Sequence, residues 1–144
     1  MDLAKRVYYY MPDDKAVNQK NRGMFNCSEA MLRAINDKYN LNISEDAKVQ
    51  MAAFGGGFFM GDACGLLVGG YAGLAHMYTP KTSPMANDKL KTVCREWYLR
   101  FNNNFDTVAC NKMKPLTGGC SGHPMQAAKI FEKLVNDVGY QVGD

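Results

Sequence analysis

No two of the five cysteines in this chain are spaced Cys-x-x-Cys, which excludes a zinc ribbon and a thioredoxin-type motif. Ferredoxin spacings are missing as well. No Gly-Lys-Ser/Thr follows the glycine-rich stretch Gly55–Gly61, and Asp62 behind it repels phosphate, so this is not a phosphate loop. There is no nucleophile elbow, and a Ser–His–Asp hydrolase has no support. Charge is not concentrated either. Seventeen Lys and Arg against fourteen Asp and Glu leave +3, with no basic stripe interleaved with aromatics, so nucleic acid is not expected as a partner.

Long hydrophobic runs are also lacking. The longest, Ala63–Tyr78, is broken by four glycines and by His76, whereas a membrane span needs about 20 apolar residues. It reads as a buried helix, and no membrane partner is expected. The start, Met1 to Tyr10, has an acid and two bases but no apolar signal core. With an odd cysteine count this leads us to expect a reducing cytoplasm, where structural disulfides are rare. The cysteines then read as reduced core residues, metal ligands or redox groups.

What is present is helix. No stretch alternates with period two over a strand length. Leu3 to about Arg22 predicts one or two short helices interrupted near Pro12. Asn26 with Glu29 forms a capping box ahead of a helix to about Tyr39, whose stripe is Ala30, Met31, Ala34 and Ile35. Ser44 caps the next helix, with Ala47, Met51 and Phe54 at helical spacing. Asp62 or Ala63 opens a helix to Met77, Pro84 one through Phe101, Asp106 a short one containing Cys110, and Pro124 the last, stopped by Gly139. The expectation is an all-α, single-domain bundle of about six to seven helices with a glycine-rich loop between central helices. Residues 1–25 form an N-terminal helical extension and residues 26–138 the cysteine-bearing core.

Cys27, Cys64 and Cys120 sit where helices begin, and a helix N-terminus stabilises an anion, here the thiolate. Cys64 follows the glycine loop, and both features are expected to lower its pKa; Cys27 has a similar place. Cys120 lies between small residues ahead of His123-Pro124, in a loop that packing alone does not explain. Cys110 fits core or ligand. Cys94 falls on the apolar stripe Leu90, Val93, Cys94, Trp97, Phe101 and reads as structural. His76 complements a helix C-terminus, and His123 reads as an N-cap or loop residue, with an extra ligand or proton donor as the alternative. Gly65, Gly69 and Gly73 share one helix face, which suits close approach of another backbone or a cofactor. An internal crossing and a homodimer interface fit that stripe equally well.

These segments resemble the redox-active family named for its cysteine pattern, C_GCAxxG_C_C. The matching pieces are Asn26-Cys27-Ser28-Glu29-Ala30, Phe54-Gly55-Gly56-Gly57 and Cys64-Gly65-Leu66-Leu67-Val68-Gly69, with Cys110 and Cys120 at the two later positions. The likeness covers roughly residues 22 to 135, and Leu66 stands where the family has alanine. Members occur widely in anaerobic microbes, and a related module in some multihaem cytochromes lies alongside a non-haem iron centre. The resemblance implies an iron–sulfur cluster on Cys27, Cys64, Cys110 and Cys120, in an electron-transfer or redox-accessory protein serving a redox partner protein. Gly55, Gly56, Gly57 and Gly65 would let main chain approach the sulfides, and helix N-termini would offset the cluster's charge. Covalent haem is not expected, because Cys-x-x-Cys-His is absent.

Two other readings stand beside it. A metal-free thiol–disulfide oxidoreductase or redox sensor would use Cys64 as its working thiol, with Cys27 or Cys120 as partner. A structural zinc site on four cysteines would make the chain a helical interaction module. The residues are compatible with an enzyme and with a carrier alike.

Overall fold

The computed structural model describes residues 1–12, 25–79, 88–113 and 122–140. Seven α-helices lie within them: α1 Leu3–Tyr10, α2 Cys27–Tyr39, α3 Glu45–Val49, α4 Gly65–Tyr78, α5 Asp88–Phe105, α6 Cys110–Met113 and α7 His123–Val138. Among the described residues there is no sheet, only one isolated bridge, and no helix is long and apolar enough to cross a membrane.

The boundaries follow from local chemistry. Asp2 accepts the Ala4 N–H at 2.8 Å and starts α1. Asn40, left-handed at φ 52, ends α2. Ser44 caps α3, which tightens into a 3₁₀ turn over Gln50–Phe54. Pro124 lies in the first turn of α7, and Gly139 at φ 90 stops it. Two predicted starts are displaced. The helix expected to open at Asp62 or Ala63 begins at Gly65, because Asp62 and Ala63 are held in the bridge. Asp106 is no cap: it is left-handed at φ 59, and α6 begins at Cys110. The predicted start at Pro84 and the second half of the expected N-terminal helical stretch lie outside the described residues.

The glycine stripe sets the central packing. Helix α4 crosses α2 so closely that a Cβ on Gly69 would lie 2.6 Å from the Ser28 carbonyl oxygen, and one on Gly73 2.7 Å from Ile35 Cδ1. The stripe is therefore occupied by an internal crossing. Gly70, off that stripe, admits the ring of Trp97 from α5, whose Nε1–H donates to the Leu67 carbonyl at 3.0 Å. Trp97 meets Phe101 and Phe131 edge-on at 5.5 and 5.2 Å, which ties α7 to α5. Helix α1 closes the bundle by burying Leu3, Ala4 and Val7 against α2 and α7. The result is a rigid floor from which the N-terminal ends of α2 and α4 project side by side.

Candidate thiol site

Cys27 is placed by a well-defined helix start. Asn26 Oδ1 accepts the Glu29 N–H at 3.1 Å, and Glu29 Oε1 accepts the Asn26 N–H at 3.2 Å, the reciprocal box expected from sequence. Ser28, wholly buried, donates its hydroxyl to the Met51 carbonyl at 2.6 Å, and Asn26 Nδ2 donates to the Ala52 carbonyl at 2.9 Å. These bonds tie the 3₁₀ turn to the start of α2 and bring Gly55 against Asn26. There is no spare room. A Cβ on Gly55 would lie 2.9 Å from Asn26 Cβ, and one on Gly65 would overlap Cys27 Sγ.

Cys64 and Cys110 meet through the isolated bridge, in which Ala63 pairs antiparallel with Ala109. The Cys64 N–H donates to the Val108 carbonyl at 2.7 Å, and the Cys110 N–H donates to the Asp62 carbonyl at 2.6 Å. Cys64 is the N-cap of α4 rather than a residue of its first turn, and its carbonyl accepts the Val68 N–H at 3.1 Å. Gly65 beside it lies against Cys27 Sγ, and the charge of Cys110 acts on Cys27. Three cysteines from distant parts of the sequence thus stand on adjoining segments, only 7%, 5% and 5% exposed for Cys27, Cys64 and Cys110.

Between these segments runs a backbone that is rare for its side chains. Gly56, Gly57, Phe58 and Phe59 are consecutively left-handed, with φ of 60, 63, 62 and 57°. The wide turn Gly57–Gly61 is closed by the Asp62 N–H donating to the Gly57 carbonyl at 3.0 Å. Glycine takes this conformation freely, but an L-residue pays about 1–2 kcal/mol, and for an aromatic it is a true outlier. A Cβ on Gly57 would strike the Asp62 main chain at 2.5 Å, so the turn admits no other residue there.

The electrostatics differ from expectation at Cys27. Burial pushes its thiol up; the Gly56 N–H opposes this, Cys110 adds to it, and the N–H groups of Ser28 and Cys27 itself pull down again. The helix start supplies the anticipated donors, and exclusion of water outweighs them. Cys27, Cys94 and Cys110 are free thiols. Among the described residues, no three His, Cys, Asp or Glu side chains are arranged to hold a metal ion as they stand.

Cys120 lies outside the described residues. Cys94 is half-buried on α5, where it helps line a shallow cavity of about 250 Å³ with Tyr71, Arg95, Tyr98 and Leu99, and burial pushes its thiol up. His76 stands in the last turn of α4, but burial pushes its imidazole below the ordinary value, which works against its reading as a cation answering the helix C-terminus. His123 is the first residue of α7 rather than its cap, with Gly122 in that role. Its ring meets Phe105 edge-on at 5.2 Å. Sequence reasoning missed the Ala63–Ala109 bridge and the buried Ser28 and Asn26 bonds. The triple glycine signals positive φ near residue 56, but nothing in Phe58-Phe59 announces that the left-handed run continues.

The comparison with protein families settles the relationship. Residues 25–136, more than three quarters of the chain, match the family described as "Putative redox-active protein (C_GCAxxG_C_C)". The chain belongs to this family. The matched region contains every element of the thiol site and leaves α1 outside it. No curated protein and no solved structure matches the chain.

Proposed function

We propose that this C_GCAxxG_C_C protein is an electron-transfer or redox-accessory protein in which Cys27, Cys64 and Cys110, with Cys120 as fourth ligand, hold an iron–sulfur cluster. The observation that carries the reading is that three buried cysteines from distant parts of the sequence stand on neighbouring segments, with N–H groups acting on Cys27. Thiolates are the ordinary ligands of such clusters, and N–H donors to sulfur together with burial set their potential. A thiol whose proton is held more tightly than usual is a poor nucleophile towards a large substrate, yet a metal can still displace that proton. The donors are of the kind such a cluster takes, while the three described thiols would have to move together to hold it. A cluster bound there would supply one-electron transfer, while the protein's part is to exclude water and direct the N–H groups of Gly56, Ser28 and Cys27. The redox partner would be another protein, and the setting a reducing cytoplasm.

A second reading is favoured by a specific observation: the described side chains form no metal-holding group as they stand. In it Cys64 and Cys27 work as a metal-free dithiol, the two thiols giving up two protons and two electrons to a disulfide oxidant as one bond forms between them. The deciding experiment is iron, zinc and acid-labile sulfide analysis with a visible spectrum, on protein purified anaerobically. Iron and sulfide with absorbance that disappears in Cys64→Ser is the expected result. Colourless, metal-free protein overturns the cluster and leaves the dithiol, and stoichiometric zinc without iron means a structural site instead.

A further inference from the structure

Helix α5 turns an apolar stripe inward, where Val93, Trp97 and Phe101 are at most 1% exposed. Its outer side should then be polar, yet Tyr98 and Leu99 stand side by side there, 41% and 51% exposed. Both line the shallow cavity of about 250 Å³, together with Cys94, Arg95 and, from α4, Tyr71. The seating of the Trp97 ring on Gly70 fixes the two helices that supply these residues. Tyr71 follows Gly70 in the chain, while on α5 Cys94 with Tyr98 and Arg95 with Leu99 are i,i+4 neighbours.

The polar groups of this cavity are unused by the fold. Among the described arginines, Arg6, Arg33 and Arg100 each hold a carboxylate, and Arg95 alone holds none. The Tyr71 and Tyr98 hydroxyls make no hydrogen bond among the described residues. Burial, with Cys94 and Tyr98 nearby, pushes the Tyr71 phenol up to about 12, so it stays a donor at neutral pH. The lining thus offers one fixed cation, two phenol rings, one aliphatic side chain and no acid. A guanidinium pairs two-fold with a planar carboxylate, and aromatic rings pack on one another. Pockets for drug-sized ligands run to about 300–1,000 Å³, so this smaller one suits a single ring.

We infer that the cavity between α4 and α5 is a binding site for a small aromatic carboxylate, its carboxylate paired with Arg95 and its ring against Tyr71, Tyr98 and Leu99. Cys27, Cys64 and Cys110 do not line it, so the site stands whichever chemistry those cysteines perform. A bound ring covers the Cys94 sulfur, which makes Cys94 the reporter of occupancy.

The test is alkylation of Cys94 by iodoacetamide on the full reduced chain, read peptide by peptide by mass spectrometry and referred to free cysteine in the same buffer. Cys94 is half-buried where Cys27, Cys64 and Cys110 are buried, so its rate is read before theirs interfere. Benzoate at about 10 mM should slow Cys94 at least about threefold, as mass action gives for a millimolar Kd. Benzyl alcohol, the neutral counterpart, should slow it less than half as much, with sodium chloride matched. Arg95→Gln should reduce the benzoate effect to that of benzyl alcohol. No protection by benzoate overturns the proposal, and so does equal protection by benzyl alcohol or full protection kept in Arg95→Gln. The two ligands are compared on the parent protein, so the outcome does not depend on the variant's folding.

Discussion

At the scale of single residues, Gly65 shows how tightly the site is built. It follows Cys64 in the chain and lies against Cys27, so one position spaces two of the three buried cysteines. A methyl group there would overlap Cys27 Sγ and stand 3.1 Å from both the Phe54 carbonyl oxygen and the Ser28 nitrogen. Two of those three neighbours are main chain and cannot swing away, so α2 and α4 must separate. Gly65→Ala is expected to cost about 1–3 kcal/mol, the range for overpacking a filled interior. It should also speed the reaction of Cys27 with a thiol reagent, because the sulfur is displaced towards water. Urea unfolding and thiol mapping by mass spectrometry would measure both. A variant with parental stability and a Cys27 still shielded would show that the two helices are not in fixed contact here. The close approach at Gly65 was legible in the sequence, since its stripe with Gly69 and Gly73 is a local pattern. The raised thiol of Cys27 was not, because desolvation depends on everything that folds over the sulfur, and a helix start is visible only one turn at a time.

At the scale of elements, helix α1 is joined to the family core by one charged cluster as well as by its apolar face. Arg6 Nε lies 2.6 Å from Asp37 Oδ2, and the Tyr10 hydroxyl donates to the same oxygen at 2.5 Å. Burial pushes the Asp37 carboxyl up, but the bonds from Tyr10 and Arg6 outweigh it and hold the group below its ordinary value of 3.8. A depressed carboxyl favours the folded state above its unfolded pKa, and that contribution is lost as pH falls through the folded value. The wild-type protein should therefore lose stability below about pH 4. Asp37→Asn should already be weaker by about 1–2 kcal/mol at pH 7, after allowance for its partial exposure, and should lose less on acidification. Thermal melts of both proteins from pH 6 to pH 2 would show it, and parallel profiles would remove Asp37 from the account. Elements of this kind were largely readable in advance. The Asn26–Glu29 box, the Ser44 cap and the Gly139 stop are signals confined to three or four residues. The false starts at Asp62 and Asp106 have one cause: a two-residue bridge between chain segments more than forty apart, which no local rule contains.

For the whole molecule, the buried ionisable groups face alkali rather than acid. Cys27 and Tyr39 are both pushed up by burial, Tyr39 with further contributions from Glu132 and Tyr78, and the Tyr39 hydroxyl has no hydrogen-bond partner among the described residues. Tyr71 is pushed up to about 12, again mainly by burial. A group whose folded pKa is raised contributes its full share below the unfolded value, and that share disappears as pH climbs through the folded one. The unfolded values are 9.0 for the thiol and 10.0 for the phenols. The bundle should thus hold a level stability to about pH 9 and decline above it, by at most about 1.4 kcal/mol per pH unit for each group. The same desolvation closes the site to reagents, so alkaline loss of stability and exposure of Cys27 should coincide in one transition. Tyr39→Phe separates the contributions. It removes an unpartnered buried hydroxyl, so it should be neutral or stabilising at pH 8, and its profile above pH 10 should fall less steeply than the parent's. Urea titrations at pH 8, 9.5 and 10.5 under reductant give the slopes, with Cys27 labelling followed alongside. Equal slopes for parent and Tyr39→Phe would mean that the phenol titrates as it does in water, and a Cys27 that labels well before unfolding would mean that the thiol site opens by itself, independently of the bundle that encloses it.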